Sequence, residues 1–376
     1  MKKFIKISLK TIFVLLILFL GIVLRLSLVR TIDINKQEKH LEVLKEAYES
    51  NQYELIDESD FVNFDINDTT LKLDDIQMLA SHNSYKKVGP AIGRFFVGLG
   101  DSFSEAKALN YGYQTITDQL NLGVRSFEFD LRYRNGSFEL THVPLVDNSS
   151  QAVKFDLLIE EIKLFSDYQT HLPIIILIEV KDDWMMLDPA LEPFDEDAFI
   201  LLDDLIGEKL NSHLFKPADM VDAQENLKDV IINDGWPTVD SLFNQIMVVL
   251  HPGNYTSSYY DMDQSLQSQT MFIGSYYQET LPNYASFFVQ NDVDVNIITS
   301  LVTNHFMVRT RIDSNLEFDQ TRFDDAIQSG AQILTTDFSV GRSDLDSDDV
   351  IYLDNDKMII KKRIKIINLI NHLNRV

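Results

Sequence analysis

The chain has 376 residues, 45% of them hydrophobic, enough for one large core or two small ones. Its 58 acidic against 33 basic residues give a formal net charge of -25, which repels nucleic acid and anionic headgroups unless a local patch reverses the sign. The absence of cysteine excludes disulfides, thiolate zinc sites and an acylated lipoprotein cysteine, so any metal is held by oxygen and histidine, which favours calcium or magnesium.

Lys2, Lys3, Lys6 and Lys10 precede an apolar run over residues 11–24, which is broken by Arg25 and resumes through residue 29. The run is short of the roughly 20 residues that span a bilayer, and counting from Phe4 with snorkelling lysines brings it close. No small-x-small cleavage site follows it. The expectation for residues 1–30 is therefore an uncleaved signal anchor in a cell membrane, a single pass with the lysines cytoplasmic and the rest of the chain outside. A cleaved segment would instead make the protein secreted. Residues 31–70 are polar and acidic, without glycine or proline, and Leu41, Leu44 and Ala47 share one face of a helical stretch at 36–49. This region reads as a stalk or a packing helix.

From residue 71 onward short apolar runs alternate with helical stretches. The runs fall at 76–80, 124–131, 138–143, 174–180, 246–250, 271–273, 306–308 and 333–335. Several are continuous rather than alternating, as in strands buried on both faces. Helices are predicted at 155–168, 195–210, 239–245, 284–290 and 320–328. Eight strands with intervening helices over residues 71–345 predict an α/β fold, a (β/α)8 TIM-type barrel preceded by the N-terminal membrane helix. The last segment, 346–376, turns basic from Lys357 onward and mixes those charges with isoleucines. It is either a final element packed on the barrel or a basic amphipathic piece at a membrane surface.

In such a barrel, functional groups stand at the C-terminal ends of the strands. The first predicted strand ends in Ser81-His82-Asn83-Ser84-Tyr85, the second in Glu128-Phe129-Asp130, the third in Thr141-His142-Val143 and the fourth in Glu179-Val180-Lys181. Four successive strands thus deliver histidine with asparagine, two carboxylates, histidine and a carboxylate to one rim. Glu128 and Asp130, two apart, project to the same face. Carboxylates inside apolar strands are costly unless paired or metal-bound. Asn83, Glu128, Asp130 and Glu179 offer only oxygens, suited to calcium ahead of magnesium. Histidines outside that shell, His82 and His142, suit hydrogen-bond donation and general acid catalysis. Together these groups make a good set for phosphoryl transfer from a diester. Lys181, Arg132, Arg309 and Arg311 are candidates to hold substrate phosphate or to form structural ion pairs, and His251 is a further candidate for the rim.

The strings Ser81-His82-Asn83-Ser84-Tyr85 and Gly123-Val124-Arg125-Ser126-Phe127-Glu128-Phe129-Asp130 resemble the catalytic barrel of phosphoinositide-specific phospholipase C, in its bacterial calcium-dependent branch. His142-Val143-Pro144, His171-Leu172-Pro173, Gly235-Trp236-Pro237-Thr238, Val308-Arg309-Thr310-Arg311 and Ser329-Gly330-Ala331-Gln332 extend the resemblance over roughly residues 75–340. The resemblance implies that Asn83, Glu128, Asp130 and Glu179 ligate calcium, that His82 stabilises charge in the transition state, and that His142 protonates the departing diacylglycerol oxygen. It implies a phosphatidylinositol-type membrane lipid as substrate, cleaved by attack of the inositol 2-hydroxyl to give a cyclic inositol phosphate. A carboxylate of the cluster could serve as the general base, and the sequence does not single one out.

Two rivals remain. A glycerophosphodiester phosphodiesterase shares the barrel, the Glu-x-Asp pair and two histidines, but its first motif pairs histidine with Arg-Gly, whereas His82 is followed by Asn83. A non-catalytic, membrane-tethered binding module would have lost a histidine or a metal ligand, and none is missing.

Overall fold

The computed structural model describes residues 2–342 and 344–362. The basic tail at 363–376, which carries most of the proposed amphipathic piece, lies outside the described residues. Helix α1 (Lys2–Glu49) runs without interruption from the apolar N-terminus into the polar segment. Among the described residues it alone is long and apolar enough to cross a membrane, by length and composition, with a mean hydropathy of 2.9 in its apolar window.

The second half of α1 is stitched to the rest of the molecule. Arg30 Nε donates to Glu139 at 2.7 Å, Lys87 pairs with Asp33, and the Gln37 side chain exchanges two hydrogen bonds of 2.8 and 2.9 Å with the backbone of Lys154. Further along, His40 meets Glu161 at 3.2 Å, Lys45 pairs with Glu160, and Tyr48 stacks on Tyr168 with ring centroids 4.8 Å apart. These half-buried ion pairs and hydrogen bonds, repeated along one face, together fix the helix axis. Residues 31–49 therefore pack on the barrel rather than standing off it.

The elements follow as β1 (Ile76–Ser81), α2 (Ala91–Gly100), α3 (Phe103–Ala108), α4 (Ile116–Asn121), β2 (Ser126–Arg134) and β3 (Ser137–Leu140). Next come α5 (Phe155–Tyr168), β4 (Ile174–Val180), β5 (Leu191–Glu192), α6 (Glu196–Leu210), α7 (Leu227–Asp234), β6 (Ile246–Leu250) and α8 (Thr256–Met262). The chain continues through β7 (Met271–Ser275), β8 (Phe287–Gln290), α9 (Val295–Thr303), β9 (Met307–Arg311), β10 (Asp313–Ser314) and β11 (Glu317–Phe318). It ends with α10 (Gln320–Ser329), β12 (Ile333–Thr336) and β13 (Ile359–Lys361).

Eight of these strands, β1, β2, β4, β6, β7, β8, β9 and β12, pair in parallel in that order, and β1 closes on β2 where Ser81 faces Phe127. The result is a closed barrel of the expected type. Interior positions follow the period of two: Ser126 and Glu128 on β2, Ile175 and Leu177 on β4, and Ile333 and Thr335 on β12 surround one narrow void. The alternate residues pack outward under the helices, as the stacked Phe127 and Phe129 do at 6.0 Å. The continuous apolar run of β4 reflects this double burial, each branched side chain contributing about 1.5–3 kcal/mol.

Three predicted elements are corrected. The run at 138–143 is not a barrel strand: Ser137–Leu140 forms a hairpin with the overhang of β2, antiparallel, with Leu131 opposite Leu140. The eighth place belongs to Phe287–Gln290, predicted as part of a helix at 284–290. The helix predicted at 239–245 is only a short 3-10 turn at Asp240–Leu242. Beyond the barrel, β13 adds an antiparallel strand beside β1.

Candidate active site

The turn that ends β1 is locked to β2. Ser81 Oγ donates to Ser84 Oγ at 2.7 Å, and the backbone N–H of Ser84 donates to the Glu128 carbonyl at 3.0 Å. The Glu128 N–H returns a bond to Ser84 Oγ, also at 3.0 Å. Asn83 sits within this turn at φ 49°, a left-handed conformation that asparagine tolerates better than most residues. The amide donates from Nδ2 to Tyr111 Oη at 3.3 Å, a bond that does not use its carbonyl oxygen.

Asp130 and Glu179 are direct partners in the β2–β4 register, two residues above Glu128 opposite Leu177, so the three carboxylates occupy successive inward positions at the strand ends. Burial raises the Glu128 pKa, but the guanidinium of Arg309, with which it pairs, outweighs burial and draws it to about 2. Asp130 Oδ2 accepts from Tyr85 Oη at 2.9 Å. Lys181 Nζ lies 2.7 Å from Glu179 and 3.7 Å from Asp130; burial lowers its pKa, and the two carboxylates overcome this to hold it charged. His251 also reaches this rim. Burial depresses its pKa against the pull of Glu179 and Glu128, and Nδ1 lies 2.9 Å from the Pro252 carbonyl oxygen.

Each candidate catalytic histidine is backed by an aspartate. His82 Nδ1 lies 2.7 Å from Asp337 Oδ1, and although burial raises the Asp337 pKa, His82 and Arg311 pull it down to about 2. His142 Nδ1 lies 3.2 Å from Asp147, whose two oxygens accept from the fully buried Lys86 Nζ at 2.8 Å. Burial raises the Asp147 pKa, and Lys86 and His142 more than offset it. Each imidazole thus commits Nδ1 to a carboxylate and leaves Nε2 for chemistry. Tyr111 joins the two pairs: its ring stacks beside His82 at 6.4 Å and carries the Lys86 ammonium 5.2 Å from its centroid.

The rim is assembled differently from the expectation of four successive strands. Asn83, Glu128, Asp130 and Glu179 do come from three adjacent barrel strands or their ends, but His142 arrives on the loop after the β2–β3 hairpin. Arg132 is not free for phosphate as placed: it donates to the carbonyls of Thr141 at 2.9 Å, His142 at 2.6 Å and Asp183 at 2.7 Å, and pins the His142 loop. Arg309 is engaged by Glu128, Asn291 and Thr335. Arg311 pairs with Asp337 at 3.0 Å and keeps a buried Nε without a hydrogen-bond partner among the described residues. Sequence reasoning missed Asp337 and Asp147 as partners of the histidines, and Lys86 as the partner of Asp147.

Among the described residues no group of three or more histidine, aspartate or glutamate side chains is arranged to hold a metal ion as placed. The donor set nevertheless suits calcium: an amide oxygen and three inward carboxylates, one firmly ionised, with Arg309 and Lys181 as paired counter-charges and Arg311 adding a weaker pull on Glu128.

The family "Phosphoinositide phospholipase C, Ca2+-dependent" matches residues 71–136 and 132–362. Among solved structures, the calcium-dependent phosphoinositol-specific phospholipase C of Pseudomonas sp. superposes with a TM-score of 0.56 at 16% identity, covering 80% of this chain and 97% of that one. The same Pseudomonas enzyme in its myoinositol complex gives 0.55 at 15% identity, covering 81% and 99%. The Ca2+-dependent phosphatidylinositol-specific phospholipase C of Streptomyces antibioticus gives 0.53 at 18% identity, covering 71% and 95%. No curated protein matches the chain in sequence.

Proposed function

The chain belongs to the calcium-dependent phosphoinositide phospholipase C family, and from that premise we propose that it cleaves a phosphatidylinositol-type membrane lipid to diacylglycerol and a cyclic inositol phosphate. It is an enzyme of the phosphodiester-cleaving class. The observation that carries the finer reading is the pair of aspartate-backed histidines, His82–Asp337 and His142–Asp147, flanking the inward carboxylates of Glu128, Asp130 and Glu179.

His142 presents Nε2 to the leaving glycerol oxygen and gives it a proton, while Asp147 holds the tautomer and stabilises the charged ring before transfer. His82, held by Asp337, donates from Nε2 to a phosphoryl oxygen as negative charge builds there. Lys181, Arg309 and Arg311 supply positive potential for the diester. Asn83, Glu128, Asp130 and Glu179 would hold calcium, which would supply Lewis acidity for ionising the inositol 2-hydroxyl, with a carboxylate of the same cluster to take up its proton. The complex of the Pseudomonas enzyme with myoinositol supports a headgroup of that class.

The apolar start of α1 serves as a membrane anchor over residues 1–30, with the barrel outside the cell. The reading is tested with the purified full chain on phosphatidylinositol vesicles, with calcium or with excess chelator. Calcium-dependent release of cyclic inositol phosphate is expected. Its absence in both tubes overturns the activity, and release that survives chelation overturns the metal site.

A further inference from the structure

Helix α1 does more than tether the barrel. Asn148 Nδ2 donates to the carbonyl of Leu26 at 3.2 Å, beside the loop that carries His142, whereas Tyr48 stacks on Tyr168 where α5 ends, just before β4 begins. From Leu26 to Tyr48 the helix thus descends the barrel from its C-terminal rim to its opposite end, roughly 33 Å at 1.5 Å per residue. Its exposed apolar stretch, Ile12 to Leu20, therefore projects beyond the rim that holds the active site. If that stretch lies in a bilayer, the rim faces the bilayer.

Between α1 and the α2–α3 pair is a cavity of about 450 Å³, within the roughly 300–1,000 Å³ of small-molecule sites. One wall is Phe19, Ile22, Val23 and Leu26, spaced i, i+3, i+4, i+7 along α1. Phe96 and Val97 form the facing wall, and the inner end is closed by Leu145, Val146 and His142. The walls approach closely because α2 carries Gly93, where a Cβ would lie 2.0 Å from the Val146 carbonyl oxygen and 3.5 Å from a Leu26 methyl. The outer lips are exposed and apolar: Phe95, Leu99 and Phe103 on one side, Trp184 and Met186 on the other. The charged lining groups are Asp101, Glu105 and Asp183, which disfavour an anion, so a phosphate belongs with the arginines and lysine of the rim.

We propose that this cavity takes the acyl-bearing glycerol end of a phospholipid still seated in the bilayer, so that the anchor helix is itself one wall of the substrate site. The cavity is apolar toward α1 and ends at His142, the polarity order of an amphiphile whose leaving oxygen must meet that imidazole. The inference rests on the membrane phospholipase reading above, and it adds the leaving-group site and its wall.

The test uses the full chain in phosphatidylcholine nanodiscs containing phosphatidylinositol with a diazirine midway along one acyl chain. Photolysis should place adducts on Phe96, Val97 and Leu145 as well as on outward residues of α1 such as Ile12 and Phe13. Val97→Trp should reduce adducts at Phe96 and Leu145 about tenfold or more, the scale at which one bulky change alters occupancy of an apolar pocket. Unlabelled long-chain diacylglycerol should compete at the same residues in the unaltered protein, which keeps the question decidable if the tryptophan variant does not fold. Adducts confined to Ile12 and its outward neighbours overturn the proposal. Release of cyclic inositol phosphate from the same discs is scored separately: adducts on α2 without release sink the activity and leave the cavity standing, and release without adducts on α2 does the reverse.

Discussion

Where the barrel strands begin, Arg125 is fully buried and donates to Glu58 and to the carbonyls of Leu120 and Val124 at 2.7 and 2.8 Å. One cation meets one carboxylate, and the remaining donors go to backbone. Where the strands end, Glu128, Asp130 and Glu179 share Arg309 and Lys181, and the acidic side is in excess. Both ends bury charge, but only the first closes its account with protein groups alone. Closed pairs of this kind hold a fold together, whereas an uncompensated excess is affordable only where a ligand of opposite charge completes it.

The comparison can be broken most sharply at the rim. His142→Ala should lower turnover about 10²- to 10⁴-fold while calcium affinity, measured by titration calorimetry, stays close to its starting value. A collapse of calcium binding would make His142 a ligand and not an acid. At the opposite end, Glu58→Gln leaves Arg125 buried and unpaired, and should cost about 3–5 kcal/mol in denaturant unfolding, with no change in the stabilisation that calcium confers. Asp130→Gln should do the converse: lose most of the calcium-induced rise in melting temperature. If both variants respond alike to calcium, the two ends are not distinct. Lys181→Met removes a competitor from Asp130 and Glu179, and calcium should bind tighter, by about tenfold for roughly 1.4 kcal/mol of relieved repulsion.

A pH-dependent effect is expected at the closed end. Burial, reinforced by the nearby Arg125, pushes the His171 pKa down from 6.5 to about 3, with Nδ1 2.7 Å from the Leu172 carbonyl oxygen and Nε2 2.8 Å from Ser166 Oγ. Above pH 6.5 the ring is neutral folded or unfolded and contributes no slope. Below it the unfolded chain takes up a proton that the folded chain refuses, so stability falls by about 1.4 kcal/mol per pH unit until the folded pKa is reached. Between pH 6.5 and 5 that is about 2 kcal/mol. Urea unfolding of His171→Gln should lack this component, and an unchanged slope would show that the ring is not held neutral.

The barrel and the acidic half of the site were legible in the sequence because both rest on local patterns. β4 is a run of branched apolar residues too long for a half-exposed strand, and the spacing of Glu128 and Asp130 puts both on one face whatever the tertiary context. What failed were short runs. Phe287–Gln290 has four residues, too few for either period to declare itself. At Ser137–Leu140 the alternation of Ser137 and Glu139 with Phe138 and Leu140 was the available sign of a hairpin strand with one apolar and one polar face, the polar face covered by Arg30 of α1. The aspartates behind the histidines were not legible, since Asp337 meets His82 from 255 positions away and only closure of the barrel brings them together.

The hairpin that replaced the predicted third strand has a consequence of its own. Because β3 hangs on the overhang of β2 and takes no place among the eight, the chain between Arg134 and Phe155 is held by side-chain ties such as Arg132 to the His142 carbonyl and Lys86 to Asp147, and not by barrel stagger. His142, the proposed proton donor, is therefore carried on an arm outside the eight-stranded frame, while the acidic groups are built into it. Grafting the corresponding arm from a relative would move the acid relative to a bulkier or slimmer leaving group and leave the ion-binding frame as it was. On the proposed reading, contact with the leaving group and the chemistry at phosphorus thus sit on separate parts of the chain.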